Sequence, residues 1–226
     1  MWKAIYDSPL HHPLACWLAT SGLLLWAANR ARLPGRARAW LWLFGLCILA
    51  DATLTGAWSP LPAEHPASQP LAIAFVVAGD WRFFVWGTLL ASDGPPWRAW
   101  LTGLGWALIV PLLHGAAIRA WPSAMSDLRV VYLAYELGLA AVVGVWWWRQ
   151  RRRACPQQRA IGSLASFELL QYLGWATADI VILAGSDLGH GLRLVPNLMY
   201  YAGFLAFAVI RCAPVASLTP APPEDT

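Results

Sequence analysis

The sequence predicts an all-α, polytopic integral membrane protein: a seven-transmembrane-helix bundle with its N-terminus outside and its C-terminus in the cytoplasm. Three observations carry that expectation. Hydrophobic residues make up 58% of the 226 and charged residues 12%, against about 25% charged in a soluble domain, and mean hydropathy is +0.49. Seven windows each supply the roughly 20 mostly apolar residues that a spanning helix needs. The arginines concentrate in the links on one side of those windows, which sets a direction.

The first window, 10–29, ends in Ala27-Ala28. Basic residues follow this run rather than precede it, so it reads as a retained span and not as a cleaved signal peptide. Leu33-Pro34-Gly35 separates it from the second window, 39–58, which stops at Ser59-Pro60. The third, 70–92, stops before Gly94-Pro95-Pro96, and Pro and Gly mark such breaks. The fourth to seventh windows are 98–120, 128–148, 161–185 and 193–212. The short links make neighbouring helices antiparallel. A Pro- and Ala-rich tail, 213–226, follows this single domain of 1–212 and is expected to be disordered.

The first link carries Arg30, Arg32, Arg36 and Arg38, and the link after the fifth window carries Arg149, Arg151, Arg152, Arg153 and Arg159. Arg98 and Arg211 fall on the same side. The opposite side has Lys3, Arg119, Arg129 and Arg193, offset by Asp7, Glu64, Asp127 and Asp187. The positive-inside rule then puts the first side in the cytoplasm. The net charge of +4 is thereby explained by orientation, and no nucleic-acid partner is expected. The expected location is the inner (plasma) membrane of a bacterium. No soluble stretch is long enough for a separate catalytic or DNA-binding domain.

The chain is tryptophan-rich, with 16 in all. Trp40, Trp58, Trp97, Trp100, Trp121 and the Trp146-Trp147-Trp148 run fall near span ends, where indole rings anchor helices at the headgroup level. Cys16, Cys47, Cys155 and Cys212 show no CxxC spacing and read as free thiols. No internal repeat is evident, so an inverted-repeat transporter is not supported.

Function is signalled by charge in the wrong solvent. Asp51, Asp80, Glu136, Glu168 and Asp179 all lie inside apolar windows. An uncompensated charge there costs about 2.5–3.5 kcal/mol on the mildest scale, and such residues usually face a bundle interior or a wet cavity. At 1.5 Å per residue, Asp51, His114, Glu136 and Asp179 fall about 9–12 Å below the outer interface. Asp80 lies slightly deeper, and Asn197 and Tyr200 enter from the last window. The other histidines, His11, His12, His65 and His190, also fall on the outer side. This convergence predicts an intramembrane pocket opening outward, with Asp80, Glu136 and Asp179 lining it. In the sixth window Glu168, Tyr172, Trp175 and Asp179 follow spacings of four, three and four, so they share one helical face. That stripe reads equally as a proton ladder, a ligand slot or a set of interhelical polar contacts. Arg82 is two residues from Asp80 and cannot face it on a helix; Asp51 and Asp179 are its candidate partners. Arg119 and Arg129, at span ends, are expected to snorkel.

No metal is expected, because only His114 among the histidines lies deep in a span and zinc sites use several His or Cys. No nucleophile elbow is present. The topology, Asp80-Trp81 in the third span, and Trp175, Asp179 and Gly185-Ser186-Asp187 near the end of the sixth resemble the microbial rhodopsins. That resemblance implies a counter-ion role for Asp80, pocket walls at Trp81 and Trp175, and Asn197 near a helix-seven carboxylate position. The chain departs from it at a decisive point: Lys3 is its only lysine, so covalent retinal is excluded and the cofactor is left unassigned. Three readings remain open. The first is an outward-facing protonatable pocket that binds or moves a small solute or protons. The second is a membrane-embedded enzyme on a lipid or isoprenoid substrate, with a carboxylate and His114 as acid and base. The third is a scaffold or assembly subunit. The partners expected are the lipid bilayer and a small-molecule or lipid ligand.

Overall fold

The computed structural model describes residues 1–29, 35–62, 65–91, 95–123, 125–152 and 157–216, without the side chains of 35, 36 and 212–216. Arg30, Arg32, Glu64, Arg153, Cys155 and the tail from 217 onward lie outside the described residues, as do the side chains of Arg36 and Cys212. Among the described residues every regular element is helical. A short helix α1 (Trp2–Tyr6) precedes a π-helical turn (Leu10–Ala15), which leads into α2 (Cys16–Ala28). Then come α3 (Gly35–Leu54), α4 (Ser68–Ala91), α5 (Pro96–Ala120), α6 (Leu128–Gln150) and α7 (Gln158–Leu183). The chain closes with α8 (Leu188–Leu198), a second π-helical turn (Met199–Gly203) and α9 (Phe204–Ala216), which passes the expected tail boundary at 213.

Five helices are long and apolar enough to cross a membrane: Ala37–Leu54, Ser68–Ala91, Pro96–Ala120, Leu128–Gln150 and the composite Leu188–Arg211. The chain is therefore a helical integral membrane protein. Two of the seven expected spans fall outside that set. Helix α2 has only 13 residues, because the first window bends at His12, whose backbone leaves the helical region. Helix α7 has 26 residues but buries Glu168, Gln171, Tyr172 and Asp179 along one face.

Local chemistry sets the helix limits. Pro95 precedes α5 with extended backbone, and Pro96 occupies its first turn, where a missing N–H breaks no helical bond. The Asp127 carboxylate caps α6, accepting from the Arg129 N–H at 2.7 Å. Helix α7 ends where Gly185 turns to φ +83°, a conformation that suits glycine. Just beyond, the Asp187 carboxylate accepts from the Met1 ammonium at 2.9 Å and from the Trp2 and Lys3 N–H groups at 2.7 and 2.9 Å. Those bonds, the ammonium's first, hold its carboxyl well below the usual carboxylate range. They clasp α1 onto α8, where the Trp2 ring lies over Gly191.

Helix α4 is central, touching α3, α5, α7 and α9. The core around it is aromatic: Trp40, Phe44, Phe83, Phe84, Trp86, Trp146 and Phe204 are all essentially inaccessible. Trp40 and Trp146 were expected at the headgroup level and are core residues instead. The Trp40 ring packs 4.8 Å from that of Trp86, and its Nε1 donates to the Arg82 carbonyl at 3.3 Å. Trp58, Trp97, Trp121 and Trp148 are exposed, as interfacial rings are. The Trp146 ring edge fits against the bare backbone of Gly87: a Cβ there would lie 2.4 Å from its Cη2. Gly87→Ala should therefore lower stability by about 1–3 kcal/mol through overpacking, measured by reversible unfolding in detergent. Pairing it with Trp146→Leu should return part of that loss. An unchanged Gly87→Ala transition would show that the contact yields freely.

Candidate functional site

Two polar clusters occupy the bundle interior, both built on α7. Its shared face distributes Glu168, Tyr172, Trp175 and Asp179 among different neighbours. Near one end of the helix, Asp179 is fully buried and accepts from Arg193 of α8, and from Arg129 of α6 at 3.3 Å. Arg193 also reaches Glu136 of α6 at 3.3 Å. The Tyr132 ring lies about 6 Å from both guanidinium centres, at 6.0 Å from Arg129 and 5.8 Å from Arg193. Two carboxylates and two guanidiniums thus form a formally neutral network that ties α6, α7 and α8 together.

The sequence expectation for both arginines is corrected here. Arg129 was read as a snorkelling residue with no role, and Arg193 as an exterior charge. Helix α8 begins five residues before the seventh window, at Leu188, and that earlier start brings Arg193 into a helix that packs along α7.

Around the middle of α7 the balance differs. Asp80 of α4 is 1% exposed and accepts from the Tyr135 hydroxyl at 2.6 Å and from the Tyr172 hydroxyl. Glu168, one turn from Tyr172, is equally buried, and its Oε2 has no hydrogen-bond partner among the described residues. Both polar atoms of the buried Gln171 amide are likewise unbonded. Arg82, also 1% exposed, stands within electrostatic reach of Asp51, Asp80 and Glu168. Its Nη2 donates to the Tyr200 carbonyl, and its guanidinium lies 4.4 Å from the Tyr200 ring centre and 5.0 Å from that of Phe204. Its Nε and Nη1 have no partner among the described residues. Of the two carboxylates expected to pair with it, Asp179 belongs to the Arg193 network. Asp51 shares a small cavity with it.

The remaining candidates fall at the edges of these clusters. Asp51 of α3 accepts from the Thr55 hydroxyl at 2.7 Å. Trp175 donates to the Asn197 side-chain oxygen at 2.6 Å, and the Asn197 amide meets His11 Nε2 at 3.2 Å. Trp81 turns away from Asp80 and donates to the Trp100 carbonyl of α5 at 2.9 Å. The His114 ring lies 5.8 Å from that of Tyr135, with its Nε2 buried and unbonded. The structure therefore brings Glu136 and Asp179 together and joins Asp80 to a separate group. Among the described residues no set of three or more His, Cys, Asp or Glu is arranged to hold a metal ion, and Cys16 and Cys47 are free thiols.

Tyr135 was missed in the sequence. It adjoins Glu136, and adjacent helical residues point about 100° apart, so one position faces Asp80 while the next faces Arg193. The only signal available was a tyrosine inside an apolar window beside an acid. The chain matches no protein family, and no curated protein or solved structure is significantly similar to it.

Breaking the neutral network should be costly, because a lone buried charge is left behind. Arg193→Met is expected to destabilise the protein by about 3–5 kcal/mol in equilibrium unfolding. Adding Glu136→Gln to that variant, which leaves Asp179 paired with Arg129, should recover most of the loss. A silent Arg193→Met would show that the network contributes nothing to the fold.

Proposed function

We propose that the chain forms a seven-span bundle, with α2 and α7 as the two further spans, and carries protons or a proton-coupled small solute through the Asp80 cluster. One observation carries this reading: Asp51, Asp80 and Glu168 are buried in the apolar interior, none of them forms an ion pair among the described residues, and Arg82 is the guanidinium within electrostatic reach of all three. A buried charge must be paired, hydrated or neutralised. One arginine compensates one carboxylate, so the other two call for bound protons or a cationic ligand. The hydroxyls of Tyr135 and Tyr172 extend the group in two directions, toward His114 on α5 and toward Glu168 along α7. A surplus of acid that changes its proton occupancy is the property a proton pathway or a proton-coupled binding pocket requires.

The Arg193 network supports a different role for its own residues. It is charge-balanced, and it joins three helices. Glu136 and Asp179 are therefore read as structural, in keeping with the scaffold alternative for that part of the molecule only. Among the described residues His114 packs against the Tyr135 ring and pairs with no carboxylate, an arrangement that does not favour the lipid-enzyme alternative.

Proteoliposomes loaded with a pH-sensitive dye and given a pH step test the proposal. Protein-dependent flux is expected, and Asp80→Asn should reduce it on the order of a hundredfold, while Tyr132→Phe leaves it near the native level. Flux indistinguishable from empty liposomes, with identical infrared carboxyl titrations for native protein and Asp80→Asn, would end the proton reading.

Orientation is tested separately. The proposed arrangement puts the N-terminus outside, following the arginine links at 30–38 and 149–159. Single cysteines placed at Asp187 should react with an impermeant thiol reagent in intact cells. Cysteines at Arg151 should react only after permeabilisation, and the reverse pattern would invert the topology.

A further inference from the structure

Between α3 and α4 lies a cavity of about 10 Å³, lined by Phe44, Cys47, Asp51, Gly79, Arg82 and Tyr200 among others. A site needs about 10–15 Å³ by this measure to accept one water molecule, and the water needs two to four polar partners. The volume therefore admits one water and no more. The lining supplies the partners. Arg82 is 1% exposed, with Nε and Nη1 unbonded. Asp51 brings a carboxylate already fixed by Thr55, and Cys47 brings a thiol. The Tyr200 hydroxyl closes the wall while donating to the Phe75 carbonyl at 3.1 Å.

We propose that this cavity is a one-water site, and that the water joins Asp51 to Arg82 as a water-bridged ion pair. Electrostatics selects the occupant. An anion would sit against Asp51, within the field of Asp80 and Glu168. A bare cation would sit against the guanidinium. A neutral water satisfies both sides, accepting from an Arg82 N–H and donating to the Asp51 carboxylate. It also removes unpaired guanidinium donors from a dry interior, where they are expensive. Gly79 is part of the site's construction: a Cβ there would lie 2.0 Å from the Tyr200 hydroxyl, so only glycine lets this tyrosine form the wall. The inference concerns occupancy and pairing, and it stands whether or not the Asp80 cluster carries protons.

A structure of the native protein in lipid nanodiscs, at a resolution that shows ordered water, tests it. One density is expected within hydrogen-bond reach of both an Asp51 carboxylate oxygen and Arg82 Nε or Nη1. Crystals soaked in bromide should show no anomalous peak there. An empty cavity, or a bromide peak, overturns the proposal. Pairing is measured by a double-mutant cycle of Asp51→Asn with Arg82→Gln in reversible unfolding, with Arg82→Lys in place of the latter if it does not fold. The unfolding constants should be coupled by a factor on the order of five. Strict additivity would show that Asp51 and Arg82 are not joined.

Discussion

A guanidinium without a direct ion-pair partner at the centre of the described helices is the constraint around which they are arranged. Arg82 is 1% exposed and cannot reach bulk water from mid-α4, so its donors must be met by what the helices beside it provide. The Tyr200 carbonyl meets one, and the π-helical turn at Met199–Gly203 brings that residue to α4. Such turns alter the regular bonding ladder and are common at functional positions. The Tyr200 and Phe204 rings flank the cation, where ring faces attract it. Trp40 holds the carbonyl of the same residue. Through one side chain and its own backbone, Arg82 thus fixes α3, α4 and the last span relative to one another.

Charge balance then distinguishes the two polar groups. The Arg193 network contains equal numbers of each sign and spans three helices, so its interactions resist rearrangement. The Asp80 group contains more acid than base, and that imbalance, rather than the unbonded polar atoms that both groups contain among the described residues, sets it apart. A purely structural element has little reason to bury the Gln171 amide and one Glu168 oxygen without partners among the described residues, because apolar residues of similar size pack at no such penalty. The two groups share α7, and its four-three-four spacing lets one helix serve both without placing Asp179 beside Asp80.

Much of this was legible in the sequence, and the rest was hidden for physical reasons. The acids were identifiable because each interrupts an apolar run, and the common face of Glu168, Tyr172, Trp175 and Asp179 follows from helical periodicity alone. The partners were not identifiable. Arg193 looked like an exterior charge because hydropathy locates the apolar part of a helix and not its first turns. Trp40 and Trp146 looked interfacial because position along a span gives depth but not direction around the axis. Trp81 failed as a pocket wall for that same reason: adjacency to Asp80 in sequence means divergence on a helix. Pro13 marks the break in the first π-helical turn without announcing its geometry, and the second left no signature in composition, yet they shorten α2 and reposition Tyr200.

Those two turns also connect the ends of the molecule. The first brings His12 against Tyr201, ring centres 4.9 Å apart, and the second sets Tyr201 edge-on to Tyr200 at 4.9 Å. Tyr201 lies beside Asp51, and Tyr200 stands between Arg82 and the α4 backbone. His12, Tyr201 and Asp51 therefore follow one another in a line, and Arg82 stands within electrostatic reach of both Asp51 and Asp80. No single helix could hold such a line, because residues of one helix that share a face are spaced a turn apart. It exists because the first and last helices depart from regular geometry where they meet. The irregular backbone, costly within a membrane unless protein covers it, sits where its freed groups and its side chains meet the buried charge.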